Sequence, residues 1–310
     1  MYNILISGAN GFVGTNLSAY LKQTGYALNI LKRSKNKNGK NLQAKFTWSD
    51  LSVIKEYPLD SIIHLASKAH DLKNVSQPEE YYDVNFELTR KLYDAFLNSN
   101  AKKFIFISTV KAVADNLNHP LTEDHIPDPQ THYGKSKLMA EQYIQSQVLP
   151  EGKSYYILRP CMIHGPGNRG NLNLLYNFVR NGYPYPLAAF ENKRSFLSIE
   201  NFCFIIKELL EQDIPSGVYN LADDHELSTN QIVSLLAEAL NKPPRLLHVP
   251  VQLVSLAARI GDFFKLPLNT ERLGKLTQNY VVSNQKITDI LLKKLPLGSK
   301  DGILKTARAF

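Results

Sequence analysis

Along the first half of the chain, short and wholly apolar runs alternate with stretches in which apolar residues return every three or four positions. Residues 2–7, 27–31, 61–66, 103–108 and 155–159 read as buried strands, the last of them stopped by Pro160. Residues 12–22 have helical spacing, with Val13, Leu17, Tyr20 and Leu21 on one face, and Val84, Leu88, Leu92 and Phe96 recur every four residues in a later helix. Continuous apolar strands separated by helices predict an α/β fold whose doubly wound parallel sheet is covered on both faces.

The pattern changes after about residue 165. Gly165-Pro166-Gly167 and Tyr183-Pro184-Tyr185-Pro186 break the chain into loops. Ser228-Thr229-Asn230-Gln231 is a capping box opening a helix to Leu240, ahead of Pro243-Pro244. The expected division is a nucleotide-binding domain over 1–165 and a smaller, more irregular substrate-binding region over 166–310, with room for a segment that returns to the first domain.

Composition narrows the class. A hydrophobic share of 44% and a charged share of 21% are ordinary for a globular domain. The two cysteines, Cys161 and Cys203, form neither a disulfide framework nor a metal cluster and read as buried thiols. The eight histidines are dispersed, with no i, i+4 pair, so no metal site is expected. No stretch reaches the ~18 apolar residues of a membrane span, and no basic, cleavable leader pattern is present, so a cytoplasmic location is expected. The net charge of +8 owes much to residues 32–40. A solvated loop is the default reading of such a run, and a phosphorylated small molecule comes next. Nucleic acid is disfavoured because no aromatic residues interleave the basic ones.

The first candidate chemistry is Gly8-x-x-Gly11-x-x-Gly14, after a strand and opening a helix through Phe12 and Val13. Such a turn needs residues without Cβ for close backbone approach to a pyrophosphate, and the helix N-terminus supplies free N–H groups and a favourable dipole. Where a carboxylate would bond the ribose 2′-hydroxyl of NAD, the second strand ends on Lys32 and Arg33. Two cations attract a 2′-phosphate, so NADP(H) is favoured and NAD(H) is the alternative, with Arg33 the better candidate because guanidinium stacks as well as pairs. Both residues also simply begin the basic loop.

The second is Tyr133-x-x-x-Lys137, two side chains one helical turn apart. A phenol with a pKa near ~10 is a poor base at neutral pH, and a neighbouring ammonium would lower that value. Ser108-Thr109 ends the strand before it and offers a hydroxyl to a substrate oxygen.

Together these motifs resemble the extended short-chain dehydrogenase/reductase family, from the glycine loop to roughly the end of the chain. The resemblance implies a Rossmann-type fold and a cofactor contacted by Asp50-Leu51, by Leu65-Ala66 under the ribose, by Asn85 near the nicotinamide, and by Pro160. It gives Tyr133, Lys137 and Thr109 the catalytic roles, with Ser108 as fallback for Thr109 and Lys137 also on the ribose. Family members that remove water from a 6-hydroxy sugar carry Asp-Glu after the catalytic threonine; here Val110-Lys111 stand there, which argues against dehydration.

Arg159-Pro160 and Gly165-Pro166-Gly167 resemble a signature of the family's sugar-nucleotide enzymes, and Ser108-Thr109-Val110-Lys111, Tyr133 to Lys137, Pro186-Leu187 and Arg194-Ser195 resemble a subgroup associated with bacterial surface polysaccharides. By that likeness Arg194 grips the diphosphate of a nucleotide sugar, with Leu187 and Asn171 as further substrate contacts, while His164, where a tyrosine is usual, is a packed residue. The first functional expectation is NAD(P)H-dependent reduction of a 4-keto nucleotide sugar, UDP-linked, 6-deoxy and N-acetylated. The alternative is an NAD-dependent UDP-sugar 4-epimerase, and a third is a non-catalytic NADP sensor. A homodimer is a family expectation.

Overall fold

The computed structural model describes residues 1–32, 46–69, 77–117, 119–168, 170–264 and 269–310. Nine strands are present among them: β1 (Asn3–Ser7), β2 (Ala27–Lys32), β3 (Phe46–Thr47), β4 (Ser61–His64), β5 (Lys103–Ile107), β6 (Ser154–Pro160), β7 (Met162–His164), β8 (Phe196–Ser198) and β9 (Gly217–Leu221). Seven form one parallel sheet in the order β3-β2-β1-β4-β5-β6-β9, and β7 pairs with β8 in a small second sheet.

Alternate residues of the central strands enter separate cores. Ile4, Ile6, Ile63, Ile105, Tyr156 and Leu158 pack on one face, beneath the helices Phe12–Gln23 and Ile199–Glu211. Leu5, Ile62, Phe104, Phe106 and Ile157 pack on the other, beneath Leu88–Leu97 and His132–Ser146. Because both faces are dry, the strands are apolar without alternation, which is why they stood out as continuous runs. A third cluster lies in the second half and joins the helices Asn171–Arg180, Thr229–Ala239, Val251–Phe264 and Ser299–Arg308.

The capping box is formed: Ser228 accepts from the Gln231 amide, and the Gln231 side chain accepts from the Ser228 amide. β9 lies beyond the loops of the second half, yet it pairs with β6, Pro160 lying opposite Leu221. Two strands are shorter than their apolar runs. β4 ends at His64 and β5 at Ile107, so Leu65-Ala66 and Ser108-Thr109 occupy the turns at the carboxyl edge of the sheet. The helix carrying Val84 to Phe96 is not uniform: Pro78–Tyr82 and Leu88–Leu97 are α-helical, and Asp83–Glu87 between them is a π-turn containing Asn85. Such an insertion rotates one side chain out of helical phase and is common at functional sites. No described helix is long and apolar enough to cross a membrane.

Candidate active site

β1 ends in Gly8, whose φ of +75° turns the chain sharply; a Cβ there would come within 2.6 Å of the Ala66 amide nitrogen. Gly14 is equally constrained, since a Cβ would collide with the Gly8 carbonyl. Gly11 is different. Its backbone is extended at φ −76°, it caps the helix Phe12–Gln23, and a Cβ would meet no atom of the chain closer than 3.5 Å. The fold therefore has no use of its own for a glycine there. That helix start has no side-chain cap and no acidic residue in its first turn, which leaves bare N–H groups and a positive dipole end. These features fit the pyrophosphate of a dinucleotide. Phe12 and Val13 are half-buried against the core.

Other expected cofactor residues fall along the same carboxyl edge. Lys32 is exposed at the last position of β2, while Arg33 lies outside the described residues. Asp50 accepts the Ser52 hydroxyl at 2.5 Å, and Leu51 packs on the core that holds Phe46. Leu65 and Ala66 lie against Gly8.

Beneath this turn runs a buried polar chain that fixes its own proton directions. Thr89 commits its proton to the Asn85 carbonyl, so the neutral His64 ring carries its hydrogen on Nε2, and Nδ1 accepts from Ser7 Oγ at 2.5 Å, which itself accepts the Ala66 amide at 3.2 Å. His64 Nε2 then donates to Thr89 Oγ1 at 2.9 Å, and Thr89 donates to the Asn85 carbonyl at 2.7 Å. The ring is neutral: burial, aided by the nearby Lys137 charge, lowers its pKa to about 3.

Asn85 uses its whole amide. Its Oδ1 accepts from Ser67 Oγ (3.0 Å) and the Lys68 amide (2.8 Å), while Nδ2 donates to the Lys68 carbonyl (3.1 Å) and Ser136 Oγ (3.0 Å). It thereby ties the turn after β4 to the helix His132–Ser146, which begins on Thr131 capping Gly134 at 3.1 Å.

Tyr133 lies in the first turn of that helix. Burial raises its pKa, and the neighbouring side chains of Thr109 and Ser67 pull it back down. Three hydroxyls thus converge where the turns after β4 and β5 meet this helix. Ser67 carries no signal in the sequence, because nothing local marks a serine three residues past His64.

Lys137 is fully buried, donates to the Ile107 carbonyl at 2.7 Å and lies 4.5 Å over the Phe106 ring. Burial lowers its pKa to about 7 against the opposing pull of Glu141. The expected direct pull of Lys137 on the phenol is replaced here by the two hydroxyls: the long side chain reaches down to the strand instead. Ser108 takes no part, since its hydroxyl donates to Glu141. Glu141 also receives Arg159 through Nε at 3.1 Å and Nη2 at 2.5 Å in a buried pair.

The substrate-side candidates are more scattered. Arg194 pairs its backbone with Leu227 (N to O 3.0 Å, and 2.9 Å back) and neighbours Tyr280; partial burial lowers its guanidinium pKa. Leu187 is buried in the third cluster, Asn171 is the exposed first residue of the helix Asn171–Arg180, and Pro160 closes β6. His164 is a packed residue, bonded through Nδ1 to Thr306 at 2.9 Å and 3.6 Å from the Asp223 carboxylate. Where dehydrating relatives would carry carboxylates, Val110 is buried and Lys111 lies 4.2 Å over the Tyr280 ring, donating to the Asp115 carbonyl. Among the described residues no group of three or more His, Cys, Asp or Glu is placed to hold a metal. Both cysteines are buried, and burial pushes the Cys203 thiol up to about 12.

Residues 4–222 match the NAD dependent epimerase/dehydratase family. The chain belongs to that family. It is an enzyme of the extended short-chain dehydrogenase/reductase type that uses a nicotinamide cofactor. It is 30% identical to a UDP-glucose 4-epimerase of Vibrio cholerae, over 99% of this chain and 95% of that protein. It is 31% identical, over 92% of this chain and 84% of that one, to the N-acetyl-alpha-D-glucosaminyl-diphospho-ditrans,octacis-undecaprenol 4-epimerase of Escherichia coli O157:H7. The fold is that of a UDP-N-acetylglucosamine 4-epimerase of Bacillus cereus, with a TM-score of 0.74 at 22% identity, over 99% of this chain and 98% of that one.

Proposed function

We propose that the chain is a 4-epimerase acting on a hexose joined to a diphosphate carrier, a UDP-hexose in the first instance. The observation that carries this is the Tyr133 hydroxyl, flanked by the side chains of Thr109 and Ser67, in a chain similar over its whole length to a UDP-glucose 4-epimerase. Tyr133 takes the proton of the C4 hydroxyl and later returns it; Thr109 holds O4 while it is a ketone. A nicotinamide dinucleotide, its pyrophosphate held at the glycine loop, would supply a hydride acceptor for C4 and, once the keto sugar has turned over in the site, a hydride donor to the other face of C4, with no net change of redox state over a turnover. Lys137 holds the ribose hydroxyls. Arg194 and the region after residue 165 hold the diphosphate and the sugar.

Val110 and Lys111 support epimerisation over dehydration, because no carboxylate adjoins Thr109 to move the C5 proton. Against the reductase that Lys32-Arg33 favoured, both curated relatives named above are 4-epimerases. The proposed cofactor is accordingly retained NAD, with NADP left as the reading that exposed Lys32 favours.

The test is to denature purified protein, identify the released dinucleotide, and follow UDP-glucose and UDP-N-acetylglucosamine by NMR with no cofactor added. Interconversion with the galacto epimers is expected. Oxidation of NADPH by a 4-keto sugar, without interconversion, would restore the reductase.

A second reading changes only the carrier. One relative's name specifies a sugar on a polyprenyl diphosphate, and an apolar surface on the second half of this chain favours that alternative. C4 chemistry would be the same.

A further inference from the structure

The helix His132–Ser146 turns one face to the end of β5. Tyr133, Lys137 and Glu141 recur along it every four residues, and each meets a different one of three consecutive residues there. Tyr133 lies beside Thr109, Lys137 donates to the Ile107 carbonyl at 2.7 Å, and Glu141 accepts the Ser108 hydroxyl. Glu141 is wholly buried. Its carboxylate is also held by the buried Arg159 of β6, through Nε at 3.1 Å to each oxygen and through Nη2 at 2.5 Å.

Stability does not account for this carboxylate. A buried ion pair recovers in attraction little more than its desolvation costs, and apolar residues of similar volume commonly serve a fold as well. Nor is the pair self-contained. Arg159 Nη1 is buried with no partner among the described residues, and two buried cations, Lys137 and Arg159, draw on one buried anion.

The other groups around Lys137 bring no negative charge. β4 contributes the neutral ring of His64, and β5 the Phe106 ring 4.5 Å from the ammonium. The π-turn meets this helix through the Asn85 amide on Ser136, while its Glu87 is paired with Arg90. Lys111, in the turn after β5, donates to the Asp115 carbonyl, and Tyr133 on the same helix is a phenol whose pKa burial raises.

Charge matters at Lys137 because of its donor count. An ammonium has three N–H groups and a neutral amine two. One is used on the Ile107 carbonyl, so only the charged form keeps two for the pair of ribose hydroxyls. Burial lowers the Lys137 pKa to about 7, and Glu141 opposes that fall. From such a value, a further drop of about one unit would take the charged fraction at neutral pH from about half to about a tenth.

We propose that Glu141 is a positioning residue: it keeps Lys137 charged, so that two donors remain for the cofactor ribose, while Arg159 competes for its carboxylate and limits that pull. The inference rests on the ribose role given to Lys137 above.

The test labels lysine Cε with 13C and titrates the full-length protein by NMR, free and with its dinucleotide, the Lys137 signal being identified by its loss in Lys137→Met. Glu141→Gln keeps an acceptor for Ser108 and Arg159 but removes the charge. Its Lys137 midpoint is expected about one unit below the parent's, with dinucleotide affinity about fivefold weaker at neutral pH and the difference closing by about pH 5. Arg159→Gln should move the midpoint the other way, upward, which loosened packing would not do. Any other pair of shifts overturns the proposal. Where Glu141→Gln does not unfold cooperatively, Arg159→Gln decides alone: an upward shift supports the proposal, and an unmoved or lowered midpoint overturns it. Equal dinucleotide affinity in Lys137→Met would instead remove the ribose role of Lys137, a failure the titration keeps separate from that of Glu141.

Discussion

Ser108 and Thr109 are consecutive, yet their hydroxyls serve different partners: Ser108 donates to the buried Glu141, and Thr109 hydrogen-bonds Tyr133. The end of β5 thus divides a stability role from a site role between two neighbours. Thr109→Val is expected to lower kcat about 10²- to 10³-fold with little change in melting temperature. Ser108→Ala should leave kcat nearly intact and cost about 1–2 kcal/mol, because Glu141 loses one of its donors. Steady-state kinetics and denaturant unfolding of both variants check the division; the reverse pattern would move the site to Ser108.

Tyr133→Phe should abolish turnover while the cofactor is retained. Ser67→Ala is the more informative variant. Burial raises the phenol pKa and Ser67 is one of two groups opposing that rise, so its loss should move the rising limb of the kcat profile to higher pH, with roughly tenfold less activity at neutral pH. An unmoved limb would remove Ser67 from the site.

His64 titrates far below its ordinary value of 6.5, at about 3. Between those two values the unfolded chain binds a proton that the folded chain refuses, so stability rises with pH through this window and is lost as pH falls through it. Denaturant unfolding from pH 7 down to about 4 should show a loss of a few kcal/mol. His64→Gln should flatten that dependence. An equally steep decline in the variant would assign the acid sensitivity elsewhere.

The three glycines of the loop should separate. Gly14→Ala places a Cβ on the Gly8 carbonyl and should destabilise the fold by several kcal/mol. Gly11→Ala meets no such obstacle and should melt like the parent in the cofactor-free state, but hold the dinucleotide at least tenfold more weakly. Thermal unfolding, set beside cofactor content after gel filtration, reads both effects. Equal cofactor retention in Gly11→Ala would mean that the helix start is not the pyrophosphate site.

The central sheet was legible because its strands are buried on both faces, and a dry strand records that in a local run of apolar residues. β3, with two residues, and β7 and β8, with three each, are too short to leave a periodic signal, and their pairing depends on partners distant in sequence. The π-turn at Asp83–Glu87 was equally hidden, since a four-residue recurrence of apolar positions fits an unbroken helix. Within the site, the glycine spacing and Tyr133-x-x-x-Lys137 could be read because each lies on one continuous element, where local geometry fixes the relation.

Tyr133 and Lys137 therefore belong to what the sequence determined by itself: a helix places them one turn apart whatever surrounds it. What surrounds them was decided only by the tertiary structure. The order β1-β4-β5 brings the ends of three separate strands to one edge, and there Ser67 and Thr109 meet the phenol while Lys137 is drawn onto the Ile107 carbonyl. Hydrogen bonds and desolvation set these pKa values, and both depend on groups that adjoin only when the sheet is assembled.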